Sequence, residues 1–242
     1  MYENEAAEYN REGVVIIRNV MPTELVEECL QAIIAFDKYE PALTSGDAVF
    51  DEADGRRHLK YFQHLQMHIP AFRKLYNSRL LAISSALLDQ GCYFNAMGLH
   101  DKAPGFGTET PMHQDNYYRC LAPPHSVTCY VPLEPQSRVN GGLIYVRKSH
   151  LQGVISHEKG MVKAFSSGIS GVEFKQEDYF RPELNPGDVA FHHTNIIHGA
   201  EENKSDRHRR AVAVSVFGEL AQFDKELQQK YEANRKYNRG QV

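Results

Sequence analysis

The chain places His113, Gln114 and Asp115 directly after a Gly- and Pro-rich stretch, APGFGTETP, at 103–111. On extended backbone, residues i and i+2 point to one face, so His113 and Asp115 converge while Gln114 turns away. An imidazole and a carboxylate aimed at one point have the geometry of two metal ligands. A further ligand should come from a distant strand, and PGDVAFHHTNIIHGAEENKSDRHRR at 186–210 offers His192, His193 and His198. Read as continuous extended chain, His192 and His198 share one face and His193 takes the other, so one of these rings is expected at the metal. Two histidines and one carboxylate would leave three positions open on one face, which suits non-haem Fe(II) that must also bind a chelating co-substrate and O2.

That co-substrate is expected to be 2-oxoglutarate, a dianion whose distal carboxylate needs a charged fork deep in an apolar barrel. A guanidinium supplies the fork in bidentate form and stays protonated. The candidates are Arg207, Arg209 and Arg210. Arg209 is favoured, because it shares the parity of Ala211 and Ala213, small residues that leave room for a ligand.

The elements that would position these residues sit in a chain of ordinary globular composition: 242 residues, 42% hydrophobic and 24% charged. The length suits a single domain over 1–242, with a helical part at about 1–90, a β core at about 92–218 and a charged tail at 219–242. The net charge is -4 and the basic residues are scattered apart from RHRR at 207–210, so the footprint expected for nucleic acid is missing. The acidic MYENEAAEYNREG lacks the basic-then-apolar pattern of a leader, and no stretch approaches the length of a membrane span. A cytoplasmic monomer or homodimer is expected, taking a small-molecule substrate and no nucleic-acid or membrane partner. Cys29, Cys92, Cys120 and Cys129 show no CxxC spacing and read as buried or idle thiols.

GVVIIRNV (13–20) reads as a strand and PTELVEECLQAIIAF (22–36) as a helix. Residues 40–58 lack periodicity and read as an exposed loop, and helical patterns follow at 59–68 and 70–90. From Cys92 the texture changes to short runs bounded by turn residues: CYFNAMGLH, MHQDNYY, SVTCYVPL, GGLIYVRKS, VEFK, DVAFHH and AVAVSVFG. Such spacing predicts a β-sandwich or barrel with flanking helices. The tail reads as a solvated helix or a frayed end.

HQD at 113–115, NGGLIYVRKSH at 140–150, PGDVAFHH at 186–193 and HGAEENKSDRHRR at 198–210 resemble the successive motifs of the phytanoyl-CoA dioxygenase family. The opening EYNREGVVIIRNVMPTELVEECLQAI is similar to that family's N-terminal part, so the resemblance covers most of 9–218. It implies a double-stranded β-helix (a jelly roll, cupin-like), Fe(II), 2-oxoglutarate as co-substrate and O2, with hydroxylation of a substrate C–H bond and release of succinate and CO2. By motif, His113, Asp115 and His198 resemble the iron ligands. Arg209, 11 residues after His198, resembles the co-substrate arginine. Tyr130 matches a position where the family places an aromatic residue beside the co-substrate, here Tyr in place of Trp.

The chain departs from that pattern in places. Ala200 stands where relatives carry a serine that helps bind the co-substrate, so Asn95 or Thr110 is expected to substitute. Arg147 and Lys148 replace a small turn. Asp115 sets the chain apart from family halogenases, which have a small residue there, so oxygen insertion or a desaturation sharing its first step is expected. Substrate contacts are expected from loops and the helical part, with His64, His68, Asn116, Tyr117, Arg119 and Arg147 as candidates. His192, His193 and Asn195 read as partners of bound imidazoles or as packing. Arg207, His208 and Arg210 read as a solvated strand entry. The competing readings are a zinc-dependent jelly-roll hydrolase and a non-catalytic metabolite- or metal-binding protein. Hydrolytic zinc chemistry does not call for Arg209 at that spacing, and the intact candidates for all three ligands argue against a non-catalytic protein.

Overall fold

The structure is a computed structural model describing residues 2–36, 40–53, 55–77, 79–105, 107–162, 165–169 and 171–239. Helix α1 (Glu3–Glu12) leads into strand β1 (Val14–Ile17) and helix α2 (Thr23–Ala35), which buries Val26, Cys29 and Ile33 at helical spacing. Helix α3 (Glu40–Ser45) and the hairpin β2 (Ala48–Ala53) and β3 (Arg56–Gln63) follow. Next come the single turn α4 (Leu65–His68), a 3-10 stretch at Pro70–Asn77 and α5 (Leu80–Leu88). The barrel strands begin with β4 (Cys92–Lys102) and β5 (Thr110–His113), then the short helix α6 (Asp115–Arg119), β6 (Ser126–Pro132) and β7 (Leu143–Val146). After β8 (Glu158–Val162), β9 (Phe165–Gly168) and β10 (Tyr179–Phe180), β11 (Val189–His193), β12 (Ile197–Ala200) and β13 (Arg209–Gly218) complete it. Helix α7 (Lys225–Arg239) ends the described chain; the last residues of the expected tail, 240–242, lie outside the described residues.

The strands form a seven-stranded sheet ordered β1-β11-β6-β13-β4-β3-β2 and a four-stranded sheet ordered β10-β7-β12-β5, all pairings antiparallel, plus the β8–β9 ribbon. This is the expected jelly roll. Alternation sorts each strand into two layers. Val127, Cys129 and Val131 of β6 and Val212, Val214 and Val216 of β13 face the helices in the main core. Tyr130 and Ala211 face the space between the sheets in a smaller cluster with Leu143, Tyr145 and Ala190. The apolar residues thus load the helix-covered face of the large sheet, and polar and small residues line the barrel interior. No helix among the described residues is long and apolar enough to cross a membrane. All four cysteines are free; Cys29, Cys120 and Cys129 are buried and Cys92 half-buried.

Several expectations are corrected. Residues 40–58 are not an open loop but α3 and most of the β2–β3 hairpin, which extends the large sheet through pairs such as Phe62↔Leu99. The first half of the helix expected at 59–68 is instead strand, through Gln63, and only Leu65–His68 is helical, as the single turn α4. Leu59 and Phe62 both enter the main core at a spacing of three, which imitates a helix. A register shift between Leu59 and Tyr61 produces that spacing on a strand. The 70–90 helix is split into the 3-10 stretch and α5. VEFK (172–175) is irregular, with Val172 exposed. The 186–210 run is not one strand: it breaks at 194–196, so β11 and β12 belong to different sheets.

Candidate metal centre

In the β5–β12 pair, His198 lies directly opposite His113, and their ring centroids are 4.2 Å apart. The strand ends at His113, but Gln114 keeps extended angles (φ -121°, ψ 129°) and Asp115 opens α6. The carboxylate therefore sits on a helix rather than the expected strand, with the i, i+2 convergence preserved. One donor atom from each of His113, Asp115 and His198 fits within a mutual 4.8 Å. Nε2 of His113 lies 3.8 Å and Nε2 of His198 3.9 Å from Asp115 Oδ1.

Local backbone orients both rings. Nδ1–H of His113 donates to Pro111 O at 2.8 Å, and Nδ1–H of His198 to Ile196 O at 3.1 Å, which leaves each Nε2 lone pair facing inward. Burial, then the neighbouring ring of His198, pushes His113 down to about 3. Burial, then His192, pushes His198 down to about 4. Both rings are thus neutral, the form that binds metal. Burial alone would raise Asp115, but the Arg119 charge and the hydrogen bond from His192 outweigh it and hold the carboxyl well below its usual range.

The two oxygens of Asp115 have different tasks. Oδ2 accepts from Arg119 Nη2 at 3.0 Å, from Thr128 Oγ1 and from His192 Nε2 at 3.4 Å, while Oδ1 is left facing the two imidazoles. Nδ1 of His192 takes the Tyr145 hydroxyl at 3.0 Å, which makes its Nε2 the donor to Asp115. Two neutral imidazoles and one oriented carboxylate oxygen are a donor set that fits Fe(II).

Arg209 lines the same cavity, of about 380 Å³, as the three ligand candidates. It is 2% exposed, donates from Nη1 to Tyr130 Oη at 2.7 Å, and its Nε has no hydrogen-bond partner among the described residues. Tyr130 in turn donates to Gln136 Oε1 at 3.1 Å. No carboxylate pairs with Arg209 among the described residues. A buried, unpaired guanidinium is costly to maintain unless an anion completes it. A bound dicarboxylate fits that requirement. Asn95 and Thr110 both line the cavity; Thr110 lies across β5–β12 from Ala200 and also borders a narrow cleft at Arg209.

The substrate candidates separate. Arg119 lines the cavity, but its guanidinium is held by Asp115, Ser126, Thr128 and Thr194. His64 and His68 both bond Asp47. Asn116 is buried and closes a turn on Leu121. Tyr117 stacks on His157, and Arg147 lies over the Phe180 ring at 4.3 Å. None of these last five is among the residues lining the cavity. His193 turns away to pack on Tyr9 and His150.

Sequence reasoning missed Tyr61, Gln63, His100, Tyr118, Thr128 and Ser215 on the cavity wall. Thr128 shares the parity of Tyr130, and Ser215 that of Arg209, so both were within reach of the alternation argument. Tyr61 and Gln63 were hidden by the helical misreading of β3.

The family model described as Phytanoyl-CoA dioxygenase (PhyH) matches residues 9–211. The phytanoyl-CoA dioxygenase of Arabidopsis thaliana is 30% identical over 122 residues, covering 48% of this chain and 41% of that protein. The 1-deoxypentalenic acid 11-beta-hydroxylase of Streptomyces arenae is 28% identical over 218 residues, covering 81% and 73%. Among solved structures, the epimerase SnoN in complex with Fe3+, alpha ketoglutarate and nogalamycin RO superposes with a TM-score of 0.71 at 20% identity, covering 92% of this chain and 85% of that one. The chain spans about two fifths of the length of the phytanoyl-CoA dioxygenases it matches.

Proposed function

Because the chain belongs to the phytanoyl-CoA dioxygenase family, we propose that it is an Fe(II)- and 2-oxoglutarate-dependent oxygenase that hydroxylates an unactivated C–H bond of a small metabolite, with release of succinate and CO2. One observation carries this reading: the His113, Asp115 and His198 cluster and the unpaired Arg209 open into the same cavity. A hydrolytic zinc centre would leave Arg209 without a task.

Iron, when bound, supplies the activation of O2 at the expense of 2-oxoglutarate. The chain's own residues do the positioning. His113, Asp115 and His198 present one inward donor each. Arg209, fixed by Tyr130, holds the distal carboxylate of the co-substrate, and Ala200 and Ala213 leave space beside it. Leu143 and Met97 contribute apolar wall, Tyr61 and Gln63 offer a hydroxyl and an amide to the substrate, and Asn95 and Thr110 stand ready to take the place of the co-substrate serine. Among the described residues, the two guanidiniums that line the cavity are committed, Arg119 to Asp115 and Arg209 to the co-substrate. That favours a compact uncharged metabolite over an acyl-CoA thioester, whose phosphates call for free cations.

The test is succinate formation by anaerobically iron-loaded protein given 2-oxoglutarate and then air, with and without a pool of cell metabolites. Metabolite-stimulated succinate in the wild type, lost in Asp115→Ala and Arg209→Ala, is the expected outcome. Succinate formation that persists undiminished in both variants would overturn the assignment.

A further inference from the structure

The C-terminal helix lies beyond the residues matched by the family model, 9–211, yet it reaches the metal centre through an unbroken series of contacts. Helix α7 packs on α6 and on the β8–β9 ribbon. The Tyr231 ring meets Tyr117 at 5.9 Å and 86° and Tyr118 at 5.7 Å and 81°. Asn234 Nδ2 donates to the Tyr117 hydroxyl and to His157 O, the latter at 3.3 Å. Tyr117 lies flat on His157, at 4.0 Å and 10°. His157 gives its Nδ1–H to Ile155 O at 3.0 Å, which leaves Nε2 to accept the backbone N–H of Gln114 at 3.0 Å. Gln114 is the residue between His113 and Asp115. On the other side, Tyr118 lines the cavity, with its ring 6.0 Å from that of His113 and its hydroxyl bonded to Ser167 O on β9.

We propose that α7 is a positioning element of the metal centre, in which Tyr231 and Asn234 hold the Tyr117–His157 stack and thereby fix the Gln114 peptide that joins the two ligands. The inference rests on the reading of His113, Asp115 and His198 as iron ligands. Outer partners that orient ligands are worth metal affinity out of proportion to their distance from the metal, because they set the direction of the donor atoms. The Gln114 side chain independently bonds Gly153 O, Asn195 O and the Ile155 N–H. If those bonds alone fix the peptide, α7 is dispensable for the metal.

The full chain is therefore compared as wild type, Tyr231→Ala, Tyr231→Phe and Asn234→Ala by anaerobic Fe(II) titration against a chromophoric chelator, with the melting temperature of each apoprotein recorded. Tyr231→Ala is expected to weaken Fe(II) binding about tenfold, the lower end of the effect of such partners. Tyr231→Phe, which keeps the ring contacts, is expected to restore wild-type affinity; a role confined to overall stability would move the melting temperature and leave the affinity alone. If Tyr231→Ala does not fold, Asn234→Ala is read in the same way, since it removes two hydrogen bonds and leaves the aromatic packing. Wild-type affinity in the alanine variant that folds, or no rescue by phenylalanine, overturns the proposal. No Fe(II) binding by the wild type would instead overturn the reading of the metal centre.

Discussion

Asp115 shows how much depends on which oxygen of a carboxylate is occupied. Three donors saturate Oδ2, so only Oδ1 is free to serve a metal, and the strongest of the three is the half-buried, charged Arg119. Replacing Arg119 with Met is expected to weaken Fe(II) binding roughly 10- to 100-fold, the range for lost outer partners of metal ligands. The same change should also destabilise the apoprotein, because the half-buried carboxylate loses its one charged partner and keeps only Thr128 and His192. Chelator competition and thermal melts read the two effects, and unchanged affinity would show that Thr128 and His192 suffice. The convergence of His113 and Asp115 was legible in the sequence, because it needs only an extended Gln114. The task of Arg119 was not. Its i, i+4 contact with Asp115 exists only because the strand stops at His113 and a helix begins, and nothing in HQDNYYR marks that change.

At the scale of elements, alternation carried the reading wherever strands were regular. Arg209, Ala211, Ala213 and Ser215 on one face of β13 and the valines on the other could be assigned by counting. Counting failed at irregularities. The register shift in β3 imitated a helix, and the turn at 194–196 makes the shared parity of His192 and His198 a coincidence between two sheets. Their ring centroids are nevertheless 4.5 Å apart, because both strands face the barrel interior. The pairing of β5 with β12 is the element-level feature that matters most, since it sets His113 against His198. Gly199 permits it: a Cβ there would lie 2.7 Å from Thr110 O and 2.8 Å from Met112 Sδ. Gly199→Ala should therefore push β5 away and lower Fe(II) affinity by about tenfold or more, as for other disturbances of ligand orientation. Full affinity in a folded Gly199→Ala protein would mean the strands can separate without moving the rings.

Over the whole molecule, the ordered motifs made the barrel legible, whereas the β2–β3 hairpin and the docking of α7 depend on tertiary packing that composition does not reveal. One global consequence follows from the polar interior. His113, His157 and His198 are buried, and burial first of all holds them neutral, at about 3, about 4 and about 4 respectively. In the unfolded chain such rings take up a proton below about 6.5. The folded apoprotein is thus favoured above that pH and loses stability as pH falls from about 6.5 towards 4, at up to about 1.4 kcal/mol per ring per pH unit. A steep fall in melting temperature between pH 6.5 and 4 is expected for the apoprotein. A flat profile across that window would mean that the rings protonate within the fold.

The most direct measurement is an anaerobic calorimetric titration of 2-oxoglutarate into the Fe(II)-loaded protein, run on the wild type and on Arg209→Ala. Charge-assisted bonds to a buried guanidinium are worth about 1.5–3 kcal/mol each, so losing both of a bidentate pair should weaken binding by roughly 100-fold or more. Saturable binding to the wild type that requires the metal and is lost in Arg209→Ala is the expected result. Binding that is equally tight in the variant, or no binding to the metal-loaded wild type, would contradict a shared site for iron and 2-oxoglutarate in this cavity.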